Sequence, residues 1–126
     1  MSYKSSHVFS GLGSALQATY SAANTSEQTV GQDCSAYRNI LAYVSVSEVV
    51  SSGKALLKCE FSPDGASWFD PQDIASGSQV LTSVTLTATG DFMFTFDNAG
   101  AFVRLTVTYV TGESVSIDSF IVEGVS

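Results

Sequence analysis

Apolar and polar residues alternate with a period of two along most of this chain, and no segment of helical length repeats at 3.6. From Ala101 to Val110 the apolar positions are Val103, Leu105, Val107 and Tyr109, with Arg104, Thr106 and Thr108 between them. Successive side chains of a strand point to opposite faces, so this run buries one face and wets the other. Ala55 to Phe61 repeats the pattern, with Leu57, Cys59 and Phe61 on one side and Lys58 and Glu60 on the other. Val80 to Ala88 does so again, with Val80, Val84, Leu86 and Ala88 inward. Tyr37 to Val46 differs: it is apolar on both faces, which fits a strand covered on both sides or lying against a partner. Further strands are expected at Leu16 to Ser21, Gln28 to Asp33, Ser67 to Asp70, Asp91 to Phe96 and Val115 to Glu123.

Turn residues punctuate these runs, among them Ser52-Gly53, Pro63-Asp64-Gly65, Ser76-Gly77, Thr89-Gly90-Asp91, Asp97-Asn98-Ala99-Gly100 and Thr111-Gly112-Glu113. Eight or nine short strands spaced in this way predict an all-β fold, a two-sheet antiparallel β-sandwich of jelly-roll type. Residues 1–15 stand apart. They are rich in small residues and lack alternation, yet contain Tyr3, His7, Val8 and Phe9. Two readings fit: a terminus lying across the sandwich, or an extended arm whose aromatics find pockets on a neighbouring subunit. The expected organisation is an N-terminal arm over residues 1–15 and a single sandwich over residues 16–126.

With 126 residues, 44% of them hydrophobic, the chain suffices for one core and one domain. Five basic residues, Lys4, Arg38, Lys54, Lys58 and Arg104, face 12 acidic ones, for a net charge of -7. That balance argues against nucleic acid or an anionic membrane as partner, because both are bound through clustered Lys and Arg. Charged residues make up only 13%, about half the usual share for soluble domains. Ser and Thr replace them, 21 and 11 residues respectively, so the polar surface is built from hydroxyls. Such surfaces suit strands, and they also suit contact with other proteins, where ions are costly to desolvate. No apolar run resembles a signal peptide or a membrane span. Synthesis and use without secretion then predicts reduced thiols at Cys34 and Cys59.

Enzymatic constellations are scarce. His7 is the only histidine and has no acidic neighbour in sequence, so no Ser-His-Asp or Cys-His arrangement is expected. One His and two Cys separated by 24 residues do not make a zinc site, and Gly11-Leu12-Gly13 is no phosphate loop. Glu60, Asp64, Asp70 and Asp73 cluster in sequence around a predicted hairpin and raise calcium as a possibility. Their spacing is not that of an EF-hand, and each has a local role, so no metal and no cofactor are predicted. Nothing points to the carboxylate pair of a glycosidase. Phe92, Phe94 and Phe96 share one strand face and are read as core. Trp68 and Phe69 must face opposite sides, so one is expected in the core and the other exposed or at an interface. An exposed Trp beside carboxylates can stack on a sugar ring, which keeps a carbohydrate-binding module in view.

The most specific string is Phe61-Ser62-Pro63-Asp64-Gly65-Ala66-Ser67-Trp68-Phe69-Asp70, which reads as a β-hairpin: Pro63 presets the turn, Asp64 caps it and Gly65 takes positive φ. Together with the Tyr37-Arg38 strand start, the apolar strand to Val46, Phe102-Val103-Arg104-Leu105 and the alternating final strand, it resembles small β-sandwich virion proteins of tailed bacteriophages. The resemblance implies a non-enzymatic capsid decoration or cement protein, made in the host cytoplasm and placed on the outer capsid surface. Its implied partner is the major capsid protein, and its implied state a homo-oligomer, with a trimer favoured. A low-copy neck, tail or fibre protein and a glycan-binding module are the alternatives. Candidate partner contacts are Tyr3, Val8 and Phe9 in the arm, with Trp68 and Phe69 at the hairpin.

Overall fold

Ten strands form among residues 6–69 and 83–126, the residues described by this computed structural model, and all of them pair antiparallel in two sheets of five. In chain order they are β1 (Ser6–Val8), β2 (Thr19–Tyr20), β3 (Ser26–Gln28), β4 (Gln32–Asp33), β5 (Asn39–Val50), β6 (Lys54–Ser62), β7 (Ser83–Leu86), β8 (Gly90–Asp97), β9 (Phe102–Thr111) and β10 (Ser114–Val125). The front sheet runs β1-β10-β5-β8, with β2 also on β10; the back sheet runs β3-β9-β6-β7, with β4 also on β9. The connections β5 to β6, β7 to β8 and β9 to β10 each cross from one sheet to the other. This is the order of a jelly roll whose first two strands are each broken into two pieces.

Alternation decides the core. Leu57, Cys59 and Phe61 of β6 and Val103, Leu105 and Val107 of β9 are buried from the back, against Ile40, Ala42, Val44, Phe96, Val115, Phe120 and Val122 from the front. Phe92 and Phe94 pack at the margin of this cluster and stack on each other at 6.0 Å. Cys34 and Cys59 are buried free thiols. The expected strand from Gln28 to Asp33 is interrupted: β3 and β4 flank Thr29, whose hydroxyl accepts the Leu105 N–H at 3.1 Å and so holds the break against β9. The start expected at Val80 and the end expected at Asp70 lie outside the described residues.

The N-terminal segment departs from the expected arm. Ser6, His7 and Val8 pair with Val125, Gly124 and Glu123 as an edge strand of the front sheet. Phe9 donates its N–H to the Val122 carbonyl at 2.9 Å, and its ring, 5% exposed, meets Tyr37 edge-on at 5.6 Å. His7 stacks on the same Tyr37 at 6.4 Å. Leu12 and Leu16 follow Phe9 into the core, the latter from a 3-10 turn at Gly13–Leu16, and Tyr20 closes the segment by donating its hydroxyl to the Leu16 carbonyl at 2.7 Å. The 3-10 turn has only four residues, too few to show as periodicity. Gly124 is required beneath the aromatics, since a Cβ there would lie 2.6 Å from the Tyr37 ring. The described part of residues 1–15 therefore belongs to the sandwich, and the domain begins no later than residue 6.

Asn98 ties the β8–β9 connection to residues 34–37. Its amide donates to the carbonyls of Cys34 at 2.9 Å and Tyr37 at 2.8 Å, while its Oδ1 accepts the Gly100 N–H at 3.0 Å. One half-buried side chain thus satisfies three backbone groups that no strand reaches.

Candidate functional surfaces

Two outer faces and one hairpin hold Val8, Trp68 and Phe69 of the residues that the sequence singles out. The hairpin forms as its residues dictate. Gly65 takes φ +79, and Asp64 Oδ1 accepts the N–H groups of Ala66 at 2.8 Å and Ser67 at 3.0 Å. Ser62 Oγ in turn accepts the Asp64 and Gly65 N–H groups. The Ser62 hydroxyl donates to Asp64 Oδ1 at 3.0 Å, and the bonds this carboxyl accepts, from Ser67 and Ala66 first and Ser62 next, hold it below its ordinary range. Asp64 is therefore occupied as a turn acceptor. Glu60 is occupied as well, taking the Arg104 Nε–H at 3.2 Å. Among the described residues no group of three His, Cys, Asp or Glu side chains converges on a metal position, while Asp70 and Asp73 lie outside them.

Trp68 is half-buried on the outer face of the back sheet, over Gly31 and with the Arg104 guanidinium 4.7 Å from its ring centre. Phe69 exchanges both backbone hydrogen bonds with Phe61, and its ring is 59% exposed. Neither joins the core cluster, contrary to the expectation for one of the pair. The bridge to Phe61 is an isolated one, outside the named strands. On the same outer face the back sheet forms a shallow groove of about 480 Å³, lined by Gln28, Leu56, Lys58, Glu60, Thr106 and Thr108 among others and reached from Trp68 through the Arg104–Glu60 pair. Hydroxyl, amide, ammonium and carboxylate groups in one groove offer donors and acceptors together, the complement that a polyhydroxylated ligand needs.

The front sheet presents a different face. Tyr43 on β5 stands opposite Ile121 on β10 and Met93 on β8, so the three side chains cross the sheet in one line. All three point away from the core and are exposed, Met93 by 58%. Leu41, opposite Glu123, lies in the next row and is buried outside the core cluster. Val8, expected as an arm contact, is exposed on β1 opposite the same Glu123, next to this line. Tyr43 donates its hydroxyl to Glu123 at 3.1 Å; partial burial and that carboxylate both raise the phenol pKa.

The sequence candidates thus do not converge. Tyr3 lies outside the described residues, Phe9 is a core residue rather than a contact, Val8 joins the front face, and Trp68 and Phe69 sit at the back sheet and the hairpin end. Tyr43, Met93 and Ile121 were not among the candidates, although the doubly apolar run from Tyr37 to Val46 signals an outward patch on β5.

No known protein family and no curated protein matches the chain. Solved structures do share its fold. The SPBc2 prophage-derived protein YomS matches over 98% of this chain and 94% of its own, at 17% identity and a TM-score of 0.50. The PBSX exported protein XepA reaches a TM-score of 0.57 at 12% identity over 97% of this chain, which spans only 37% of XepA. A CBM4 structure matches 79% of this chain and 60% of its own, at 13% identity and a TM-score of 0.51. The β-sandwich is therefore one that a prophage-derived protein, an exported protein and a CBM4 structure also use.

Proposed function

We propose that this chain is a non-catalytic structural protein of a bacteriophage particle, a capsid decoration protein that sits on the outer shell and bridges capsid subunits. The observation that carries this reading is the line of Met93, Tyr43 and Ile121 exposed on a sheet face that water alone would leave polar. A charged fraction of 13% supports it, since a hydroxyl-rich surface packs against neighbours without desolvating many ions. So does the hairpin from Phe61 to Asp70, which resembles those of phage virion sandwiches, and a fold shared with YomS over nearly the whole of both chains. A homo-oligomer, with a trimer favoured, is the expected state on the shell. Quantitative mass spectrometry of purified particles tests the proposal. A copy number equal to that of the major shell protein, or a simple fraction of it, is expected. A few copies per particle would move the protein to neck, tail or fibre, and its absence would overturn a virion role.

The polar groove on the outer face that also carries Trp68 favours a second reading, a glycan-binding surface on the same domain, and the CBM4 fold likeness is compatible with it. Arg104 covers one approach to the indole, so a sugar would use the remaining exposed part of the ring and the groove. Calorimetry against a glycan panel should show binding that Trp68→Ala removes, and silence across the panel retires this reading.

A further inference from the structure

The charge distribution separates the two faces. The five strands of the front sheet contain no Lys or Arg at all, while Lys54, Lys58 and Arg104 all stand on β6 and β9 of the back sheet. Arg38 precedes β5 at the end of the sheet, and Lys4 lies outside the described residues. Carboxylates frame the apolar line instead. Asp91 is opposite Ser45, one row from Tyr43; Asp97 is opposite Asn39; Glu123 is opposite Leu41; Glu48 is opposite Ser116; and Asp118 sits in the bulge of β10. Directly opposed side chains on neighbouring strands lie about 5 Å apart, so Met93, Tyr43 and Ile121 form one continuous apolar surface inside an acidic border.

We infer that this outer face of the front sheet is the surface that grips the shell, and that the partner surface is an apolar patch rimmed by Lys and Arg. The inference rests on the decoration reading and specifies it further. A two-fold contact of this face with a second copy of itself would bring the acidic border of one copy against that of the other, and like charges brought together across an interface oppose association. A basic rim on the partner does the reverse. It steers encounter and neutralises the carboxylates, while the apolar centre supplies the area removed from water. The back sheet, with its cations and polar groove, is left facing outward.

Equilibrium binding of the full chain to purified, undecorated heads of the phage that carries this gene tests the inference. Three double variants are compared with wild type: Met93→Ser with Ile121→Ser, Asp91→Lys with Asp97→Lys, and, on the back sheet, Lys54→Ser with Thr85→Ala. All substituted positions are exposed, and thermal melts verify that each variant folds. The first pair should weaken binding roughly 30-fold, and the second roughly tenfold, while the third leaves it unchanged. Wild-type affinity should fall as salt is raised. If both front-sheet variants bind as wild type does, the inference is wrong and the decoration reading stands. If wild type itself does not bind heads, the decoration reading fails and takes the inference with it. Self-association in sedimentation velocity that Met93→Ser with Ile121→Ser abolishes would assign the face to a second copy and overturn the basic partner.

Discussion

Replacing Phe9 with Ala distinguishes a terminus built into the sandwich from an arm laid on a neighbour. In the structure its ring is 5% exposed, edge-on to Tyr37 at 5.6 Å and above Gly124. Truncation removes roughly 130 Å² of buried apolar surface, about 3 kcal/mol at 25 cal/mol/Å². The lost edge-to-face contact adds about 0.5–1 kcal/mol, and an unfilled cavity adds more. A loss of about 3–5 kcal/mol is a large share of the 5–15 kcal/mol typical of a domain, and should lower Tm by roughly 10–20 °C. Val8→Ser, one residue earlier on the exposed side, should cost less than about 0.5 kcal/mol. Urea denaturation followed by circular dichroism compares the two with wild type. A Phe9→Ala midpoint indistinguishable from that of Val8→Ser would refute the placement of this segment in the core. Deleting residues 1–15 is expected to destabilise the whole sandwich, because Phe9 and Leu12 leave with it.

Asn98→Ala takes this partner from the Tyr37 carbonyl and the Gly100 N–H and leaves the Cys34 carbonyl only the Tyr37 N–H, and should cost about 2–3 kcal/mol, read as a lower urea midpoint; a change below about 0.5 kcal/mol would show that water replaces the amide. Burial pushes the Cys34 thiol up to about 11 and raises that of Cys59, so native protein at pH 8 should resist alkylation while unfolded protein labels at both positions. Stoichiometric labelling of the folded chain would contradict this. Because the folded-state pKa of Asp64 lies below its usual 3.8, its share of stability is present above that value and is lost as pH falls through the folded pKa. Asp64→Asn should therefore flatten the loss of midpoint between pH 5 and roughly pH 2, and equal acid sensitivity in the two proteins would count against the turn contacts.

Strand identity was legible because burial on one face imposes a period of two. Val103, Leu105 and Val107, or Leu57, Cys59 and Phe61, declare both strand and inward face without any knowledge of partners. What failed was short and context-made. β1 is three residues long, and its pairing with β10 joins positions more than 100 residues apart in sequence, so no local pattern announces it. Phe9 was misjudged for the same reason: its pocket is assembled from Tyr37 and Gly124, neither of which is near it in the chain. The hairpin, by contrast, is wholly local. Pro63, Asp64 and Gly65 specify their own turn, and the carboxylate contacts follow from their order.

The front face shows where one-strand reading stops. On β5 alone, Leu41 and Tyr43 break the alternation and indicate an outward apolar patch, but they do not say how wide it is. Met93 stands between Phe92 and Phe94, and Ile121 between Phe120 and Val122, so each sits in an apolar run that hides its direction. Only the register decides. With Tyr43 fixed opposite both, Met93 and Ile121 are forced outward, because their sequence neighbours face the core. Shifting β8 by one residue would turn Phe92 and Phe94 to water and Met93 inward, at a cost of several kcal/mol. The buried phenylalanines thereby enforce the exposure of Met93. The core thus fixes the geometry of the outer patch, and the acidic border follows, since Asp91 and Glu123 occupy the same outward positions on the same strands.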